Sequence, residues 1–94
     1  MEKLLIINRL LSRFNTRGYL VGGAVRDWIL GNSTADLDLA IEDQVKKIAV
    51  EFAARTDGSF VVLDETRQIY RVIIKEEIYD FSPVQAGSIT QDLL

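Results

Sequence analysis

The chain contains no cysteine and no histidine. Without cysteine it can form neither a disulfide framework nor a thiolate metal site, which is consistent with a reducing compartment. Without histidine, any general base has to be a carboxylate, a lysine, a tyrosine or a metal-bound water. No apolar run approaches the roughly 18 to 20 residues of a membrane-spanning helix, so we expect a protein that does not enter a membrane.

Basic residues are fewer than acidic ones. The 94 residues include 11 Lys and Arg against 14 Asp and Glu, which gives a net charge of -3. Because surfaces that grip RNA through its phosphates are basic, firm RNA binding has to come from elsewhere or be absent. The apolar start at residues 1–7 is interrupted by Asn8 and Arg9 and has no cleavage site after it. We therefore do not expect this segment to be a signal peptide, and we expect a cytoplasmic protein.

The length predicts a single domain over residues 1–94. Periodicity predicts its elements: helices where apolar residues recur every three or four positions, and strands where they alternate or cluster as β-branched runs. Two caps are predicted, Gly18 after the first helix and Asp43 before the third. In chain order we expect a helix over 3–16, a strand over 19–21, a helix over 24–30, a strand over 36–42, a helix over 44–55, strands over 60–63, 69–74 and 78–81, and a helix beginning at 89.

This order predicts an α/β fold of the α+β type. The sheet is expected to be mixed, with about five strands and with helices packed on it, and its last three strands form a meander. Ser88 and Gln91 match the capping box that opens a helix. The chain stops at Leu94, about two turns into that helix, which suggests a truncated chain.

The most informative stretch is residues 20–38, LVGGAVRDWILGNSTADLD. Gly22 and Gly23 follow a short strand and open a helix, where exposed amide groups can bind phosphate oxygens. Arg26 has two equally weighted interpretations, a contact with a triphosphate or the nearby acids and a structural pair with Asp27. For Asp27 the structural role is favoured.

Asp36 and Asp38 are separated by one residue on a predicted strand. Their side chains therefore share a face, with Cα atoms about 6.5 to 7 Å apart, while Leu37 and Leu39 enter the core. Such carboxylates repel each other unless a cation lies between them, and hard oxygen ligands favour Mg²⁺. An acid pair alone is usually a solvated face, but the glycine pair nearby favours a metal and nucleotide site.

Asp80 lies between Tyr79 and Phe81 on a late strand. If those neighbours face the core, Asp80 projects to the same face as Asp36 and Asp38, as a candidate third acid that would help to activate an attacking hydroxyl. Arg71 alternates with Tyr70 and Val72 on a neighbouring strand and is a candidate for the same face.

These motifs resemble those of class II tRNA nucleotidyltransferases, the CCA-adding enzymes and the related bacterial poly(A) polymerases. The resemblance rests on the glycine motif LVGGAVRD, the DLD acids, the DFS segment at 80–82 and the GSI and QDLL segments near the end. It implies a polymerase-beta-like head domain in which two Mg²⁺ ions drive transfer of CMP or AMP from CTP or ATP to an RNA 3′-hydroxyl. It implies that Asp36 and Asp38 are metal ligands and that Asp80 is the third catalytic acid. It assigns the triphosphate to the segment containing Gly22, Gly23, Arg26 and Asp27.

The chain departs from the family pattern after its last residues. The family continues into an Arg-Arg-Asp-x-Thr-Ile-Asn motif, nucleotide-selecting elements and tRNA-binding helical domains. We therefore expect a head-domain fragment that is weak or inactive alone. Two alternatives remain open, a small stand-alone nucleotidyltransferase acting on a protein or small molecule, and a non-catalytic interaction domain. A homodimer through Leu93 and Leu94 on the C-terminal helix is also predicted.

Overall fold

A computed structural model describes residues 2–21, 36–85 and 90–92, the last of these as backbone only. The predicted helix over 24–30 lies outside the described residues. Neither helix in the described part is long and apolar enough to cross a membrane. The elements are helix α1 (Glu2–Arg13), strands β1 (Gly18–Val21) and β2 (Asp36–Ile41), helix α2 (Val45–Thr56), and strands β3 (Ser59–Asp64), β4 (Ile69–Ile74), β5 (Glu77–Pro83) and β6 (Thr90–Asp92).

The described strands form one mixed sheet in the order β3-β4-β5-β2-β1-β6. Strands β3, β4 and β5 are the predicted antiparallel meander. Strand β5 then pairs in parallel with β2, and β1 pairs with β2 and β6 in antiparallel orientation. The prediction of a mixed sheet is confirmed, and β6 is the strand beyond the five that were expected.

Strand β6 replaces part of the predicted C-terminal helix. Residues 90–92 pair with β1, with Thr90 opposite Val21 and Asp92 opposite Tyr19. The helix prediction is therefore wrong over these residues, because pairing with β1 satisfies backbone groups that a bare sheet edge would leave open. The homodimer prediction loses the helix on which it was based, and Leu93 and Leu94 lie outside the described residues.

Helix α1 ends three residues earlier than predicted, and Asn15 rather than Gly18 ends it. Asn15 has a φ of 54°, and its N–H and that of Thr16 donate to the carbonyls of Ser12 and Leu11. This is a Schellman arrangement, in which Asn is one of the few residues that tolerates the left-handed conformation. Gly18 instead begins β1, where a Cβ atom would lie 2.9 Å from Leu11 Cδ1 and 3.0 Å from Ile41 Cδ1.

Helix α2 begins one residue later than predicted. Gln44 occupies the N-cap with a φ of 61°, and no side chain caps the helix. Asp43 was predicted to be the cap, but its Oδ1 accepts only the Gln44 N–H at 3.0 Å. The turn is held by tertiary contacts, because Gln44 Nε2 donates to the Phe14 carbonyl at 2.7 Å and the Asp43 N–H donates to Thr16 Oγ1 at 3.0 Å.

Both helices contribute to one apolar core with the sheet. The predicted inner face of α2 is buried throughout, and Phe52 packs against Tyr79 and Phe81 with ring centroids 5.1 and 5.7 Å away. Because side chains alternate along a strand, burying one face of β2 and β5 directs their acidic residues to the other. The sheet residues in this core are Leu20, Leu37, Leu39, Ile41, Tyr70, Val72, Ile74, Tyr79 and Phe81.

Candidate functional site

The predicted acids meet on the outer face of the sheet, where β2 and β5 run in parallel. Asp38 and Asp80 are Cα partners across these strands. Asp80 is also the partner of Arg71 on β4, and Asp38 is the partner of Val21 on β1. We call Arg71, Asp80, Asp38 and Asp36 the acid row. The strand register thus places all three sequence-predicted acids on neighbouring positions of one sheet face, with Arg71 beside Asp80.

Alternation along β2 is the local cause of this arrangement. Asp36 and Asp38 are exposed, whereas Leu37 and Leu39 are buried. The same pattern on β5 buries Tyr79 and Phe81 and leaves Asp80 half-buried between them. The prediction that the acidic and aliphatic residues of β2 occupy opposite faces is confirmed.

The electrostatics of the row depend on crowding of like charges. Partial burial raises the pKa of Asp38, and the neighbouring carboxylates of Asp80 and Asp36 raise it further. The positive charge of the Arg71 guanidinium lowers the pKa of Asp38, but by less than these effects raise it. An additional cation placed beside Asp38 would stabilise its ionised form.

Arg71 and Asp80 form a two-point ion pair. Arg71 Nε donates to Asp80 Oδ1 at 2.8 Å, and Arg71 Nη2 donates to Asp80 Oδ2 at 3.0 Å. This hydrogen bonding, together with the charge of Asp80, raises the pKa of Arg71 above its already high ordinary value, so Arg71 remains positively charged. The sequence indicated that Arg71 belongs to this face, but not that it engages both oxygens of Asp80.

A cavity of about 270 Å³ opens beside Asp38 and Asp80. Sequence reasoning did not identify two of its polar residues, Ser82 and Gln85. Ser82 lies two positions after Asp80 on the same strand, so the alternation that found Asp80 also carried a signal for Ser82. Gln85 follows the end of β5, where no periodicity applies. The remaining lining residues are Val21, Ala40, Ile69 and Pro83.

The acid row suits a divalent cation chemically, although its present geometry is incomplete. Asp36 and Asp38 offer hard oxygen donors on one face, which is the donor type that Mg²⁺ prefers. Within residues 2–21 and 36–85, however, no three acidic side chains converge as a ready-made metal cluster. Both oxygens of the third acid accept hydrogen bonds from Arg71.

The predicted phosphate-binding residues Gly22, Gly23, Arg26 and Asp27 lie outside the described residues. Their point of attachment is described, since Val21 precedes the glycine pair and is the partner of Asp38.

Residues 18–93 match the family model of the poly A polymerase head domain. The chain belongs to this family. The match covers all of the acid row and all of the described sheet. The resemblance drawn from the glycine and DxD motifs is thereby confirmed at the level of the family.

Relatives of this head domain include enzymes with two different specificities. The chain is 45% identical over 74 residues to a CC-adding tRNA nucleotidyltransferase of Thermus thermophilus, an alignment that covers 79% of this chain and 17% of the relative. It is 45% identical over 65 residues to an A-adding tRNA nucleotidyltransferase of Deinococcus radiodurans, covering 69% and 15%. The chain thus spans less than a fifth of the length of these relatives.

Solved structures share the fold. A tRNA nucleotidyltransferase complexed with a primer tRNA and an incoming ATP analogue superposes with a TM-score of 0.71 at 24% identity, covering 88% of this chain and 24% of that one. The Thermotoga maritima CCA-adding enzyme complexed with tRNA gives a TM-score of 0.69 at 23% identity, covering 90% and 20%. The head domain therefore has the nucleotidyltransferase fold.

Proposed function

We propose that this chain is the catalytic part of the head domain of a tRNA nucleotidyltransferase, which transfers CMP or AMP from CTP or ATP to an RNA 3′-hydroxyl. The observation that carries the proposal is the acid row, in which Asp36 and Asp38 share a face with Asp80, their neighbour on β5. Membership of the head-domain family supports it, because both types of relative named above are tRNA nucleotidyltransferases.

The acid row would hold two Mg²⁺ ions, with Asp36 and Asp38 as the ligands. The chemistry that bound Mg²⁺ supplies is charge neutralisation at the phosphates and activation of the attacking hydroxyl. Asp80, the partner of Asp38 on the neighbouring strand, would be the third acid. Since the chain has no histidine, a base from this chain that takes up the hydroxyl proton would be a carboxylate, a lysine, a tyrosine or a metal-bound water.

The nucleotide would occupy the side of the row that leads into the glycine motif. Gly22 and Gly23 follow Val21 directly, so a triphosphate bound by their amides would lie near Asp38. Arg26 and Asp27 complete this segment, with Arg26 suited to phosphate oxygens. Ser82 and Gln85 add polar groups to the adjoining cavity.

The choice between CTP and ATP is not made by this segment. CC-adding and A-adding relatives resemble it to the same degree, so the residues that they share here serve the common chemistry. The net charge of -3 indicates that a tRNA partner is held by other surfaces. We place the protein in the cytoplasm, and we expect the chain alone to bind nucleotide weakly.

Calorimetric titration with CTP and with ATP tests this proposal. The 94-residue chain should bind both nucleotides in the presence of Mg²⁺ and lose binding when EDTA is added. Asp36→Asn combined with Asp38→Asn should abolish the Mg²⁺-dependent part. A matched double variant, Glu51→Gln with Glu76→Gln, removes the same charge outside the acid row and should bind like the wild type.

Three other outcomes have distinct meanings. Binding that survives the loss of both Asp36 and Asp38 contradicts the assigned ligands. Absence of any nucleotide binding favours the non-catalytic interaction domain. A third outcome is that AMP is transferred from ATP to a protein or small molecule in the presence of Mg²⁺, while no enzyme that contains this head domain transfers it to RNA. That outcome favours a stand-alone nucleotidyltransferase.

A further inference from the structure

The third acid of the row is fully engaged by a cation that belongs to the protein. Both carboxylate oxygens of Asp80 accept from Arg71, at 2.8 and 3.0 Å. A two-point fork of this kind is short, charge-assisted and specific to the planar guanidinium. Any metal ion that takes Asp80 as a ligand therefore competes with Arg71 for the same oxygens.

The strand register turns Asp80 towards Arg71. Asp80 lies between Arg71 on β4 and Asp38 on β2, so one neighbour attracts its carboxylate and the other repels it. Both forces act in the same direction, away from Asp38. The pair is nevertheless partly open to solvent, with 35% of the Arg71 side chain and 22% of the Asp80 side chain exposed. Partial exposure leaves room for the fork to open, because water screens the attraction.

We propose that Arg71 is a built-in counter-cation that withholds Asp80 from the metal site. In the resting state a divalent cation would be held by Asp36 and Asp38 alone, and Asp80 would join only when the fork opens. The absence of a three-acid metal cluster among residues 2–21 and 36–85 agrees with this resting state. The inference rests on the proposed metal site and adds a residue that regulates its ligand set.

Two effects of removing Arg71 have the same sign. Loss of the fork frees two oxygens of Asp80, and loss of the guanidinium removes a positive charge that repels an incoming cation. A purely structural role for Arg71 predicts the opposite, because a disordered row would bind metal more weakly. The direction of the change therefore separates a positioning role from a structural one.

The test is a Mn²⁺ titration followed by electron paramagnetic resonance of the unbound ion, on the 94-residue chain without nucleotide. Arg71→Gln should bind Mn²⁺ about tenfold more tightly than the wild type, the change expected when one opposing charge close to the site is lost. Arg71→Lys keeps the charge but not the fork and should lie between the two. Arg67→Gln is the matched control, because Arg67 pairs with Asp64 at 3.8 Å in a different ion pair and should bind like the wild type.

Asp80→Asn is made both in the wild type and in Arg71→Gln. The pair of variants separates the effect of freeing the Asp80 oxygens from the effect of losing the Arg71 charge. Its cost in Mn²⁺ affinity should be about tenfold in the wild type, where only a nearby negative charge is lost, and several-fold larger in Arg71→Gln, where a ligand is lost as well. Equal costs in the two backgrounds would overturn the proposal. Urea unfolding of each variant checks that the comparison is made on folded protein, and Arg71→Lys supplies the test if Arg71→Gln does not fold.

The remaining outcomes are also decisive. Unchanged or weaker Mn²⁺ binding in folded Arg71→Gln or Arg71→Lys overturns the role of Arg71 while leaving the metal site intact. Wild-type binding that does not depend on Asp36 and Asp38, or no saturable binding in any variant, overturns the proposed metal site and this inference together.

Discussion

Asp38 and Asp80 are Cα partners across the parallel β2–β5 pair, although they come from distant parts of the chain. One belongs to the DxD segment and the other to the third strand of the meander. The β2–β5 pair is parallel, whereas the other four described strand pairs are antiparallel. The acid row therefore exists because of tertiary pairing, and anything that weakens the packing behind β5 is expected to disturb the site.

Asp38→Asn is expected to stabilise the metal-free protein at neutral pH. The pKa of Asp38 is raised in the folded state by burial and by its acidic neighbours, so ionising it opposes folding. The contribution of Asp38 to stability should fall as pH rises from the ordinary aspartate value of 3.8 through the raised pKa, and the variant should lack this component. Urea unfolding in EDTA over this pH range measures the difference. Equal pH dependence in the two proteins would show that ionisation of Asp38 does not oppose folding.

Repeating the unfolding series with Mg²⁺ in place of EDTA provides the control. The cation should stabilise the wild type and have little effect on Asp38→Asn, because it relieves a repulsion that the variant lacks.

Phe52→Ala tests the support behind the site. Phe52 is fully buried and packs against Tyr79 and Phe81, which flank Asp80 on β5. Truncating a buried phenylalanine costs about 3–5 kcal/mol, a large share of the 5–15 kcal/mol that holds a typical domain together. Chemical denaturation should show this loss. Val50→Ala, on the exposed side of the same helix, should change the free energy of unfolding by less than about 0.5 kcal/mol.

Asn15→Ala tests the end of α1. Asn15 has a φ of 54°, a conformation that costs most side chains about 1–2 kcal/mol. We expect Asn15→Ala to lower the free energy of unfolding by about 1 kcal/mol, and Asn15→Gly to match or exceed the wild type. The ordering of the three urea midpoints is the measurement. A midpoint for Asn15→Ala at or above that of Asn15→Gly would show that Asn15 does not act as the cap.

Tyr70→Phe tests the hydrogen bonds to Glu65 near the β3–β4 turn. Tyr70 donates its hydroxyl to Glu65, which also accepts from Lys46 at 3.0 Å. The hydrogen bond to Glu65, followed by burial, raises the pKa of Tyr70 to about 12. Stability from this group is present below pH 10 and is lost as pH rises towards about 12. The wild type should show this alkaline loss in thermal unfolding, and Tyr70→Phe should lack that component.

Alternation made most of the fold predictable from the sequence. Leu37 and Leu39 can reach the core only if Asp36 and Asp38 face away, so burial of one set fixed the position of the other. Runs of β-branched and aromatic residues between polar turns gave the meander, and helical spacing gave the inner face of α2. These features are local, because each depends on residues a few positions apart.

The features that were missed depend on partners distant in sequence. The pattern at Ser88 and Gln91 favours a helix locally, but β1 offers residues 90–92 a strand to pair with. Likewise, alternation placed Arg71 and Asp80 on one face, but only the register of β4 against β5 makes them direct partners. Gly18 looked like a helix cap, and the close packing of Leu11 and Ile41 around it could not be seen in the sequence.

The most direct test of the central claim is Mn²⁺-induced broadening of backbone amide signals in the nuclear magnetic resonance spectrum of the 94-residue chain. A metal held by the acid row should broaden amides of residues 36–39 and 79–81 first and leave those of Glu51 and Glu76 sharp. Asp36→Asn combined with Asp38→Asn should abolish this pattern. Broadening centred on other acidic residues, or unchanged broadening in the double variant, would contradict a metal site on the acid row.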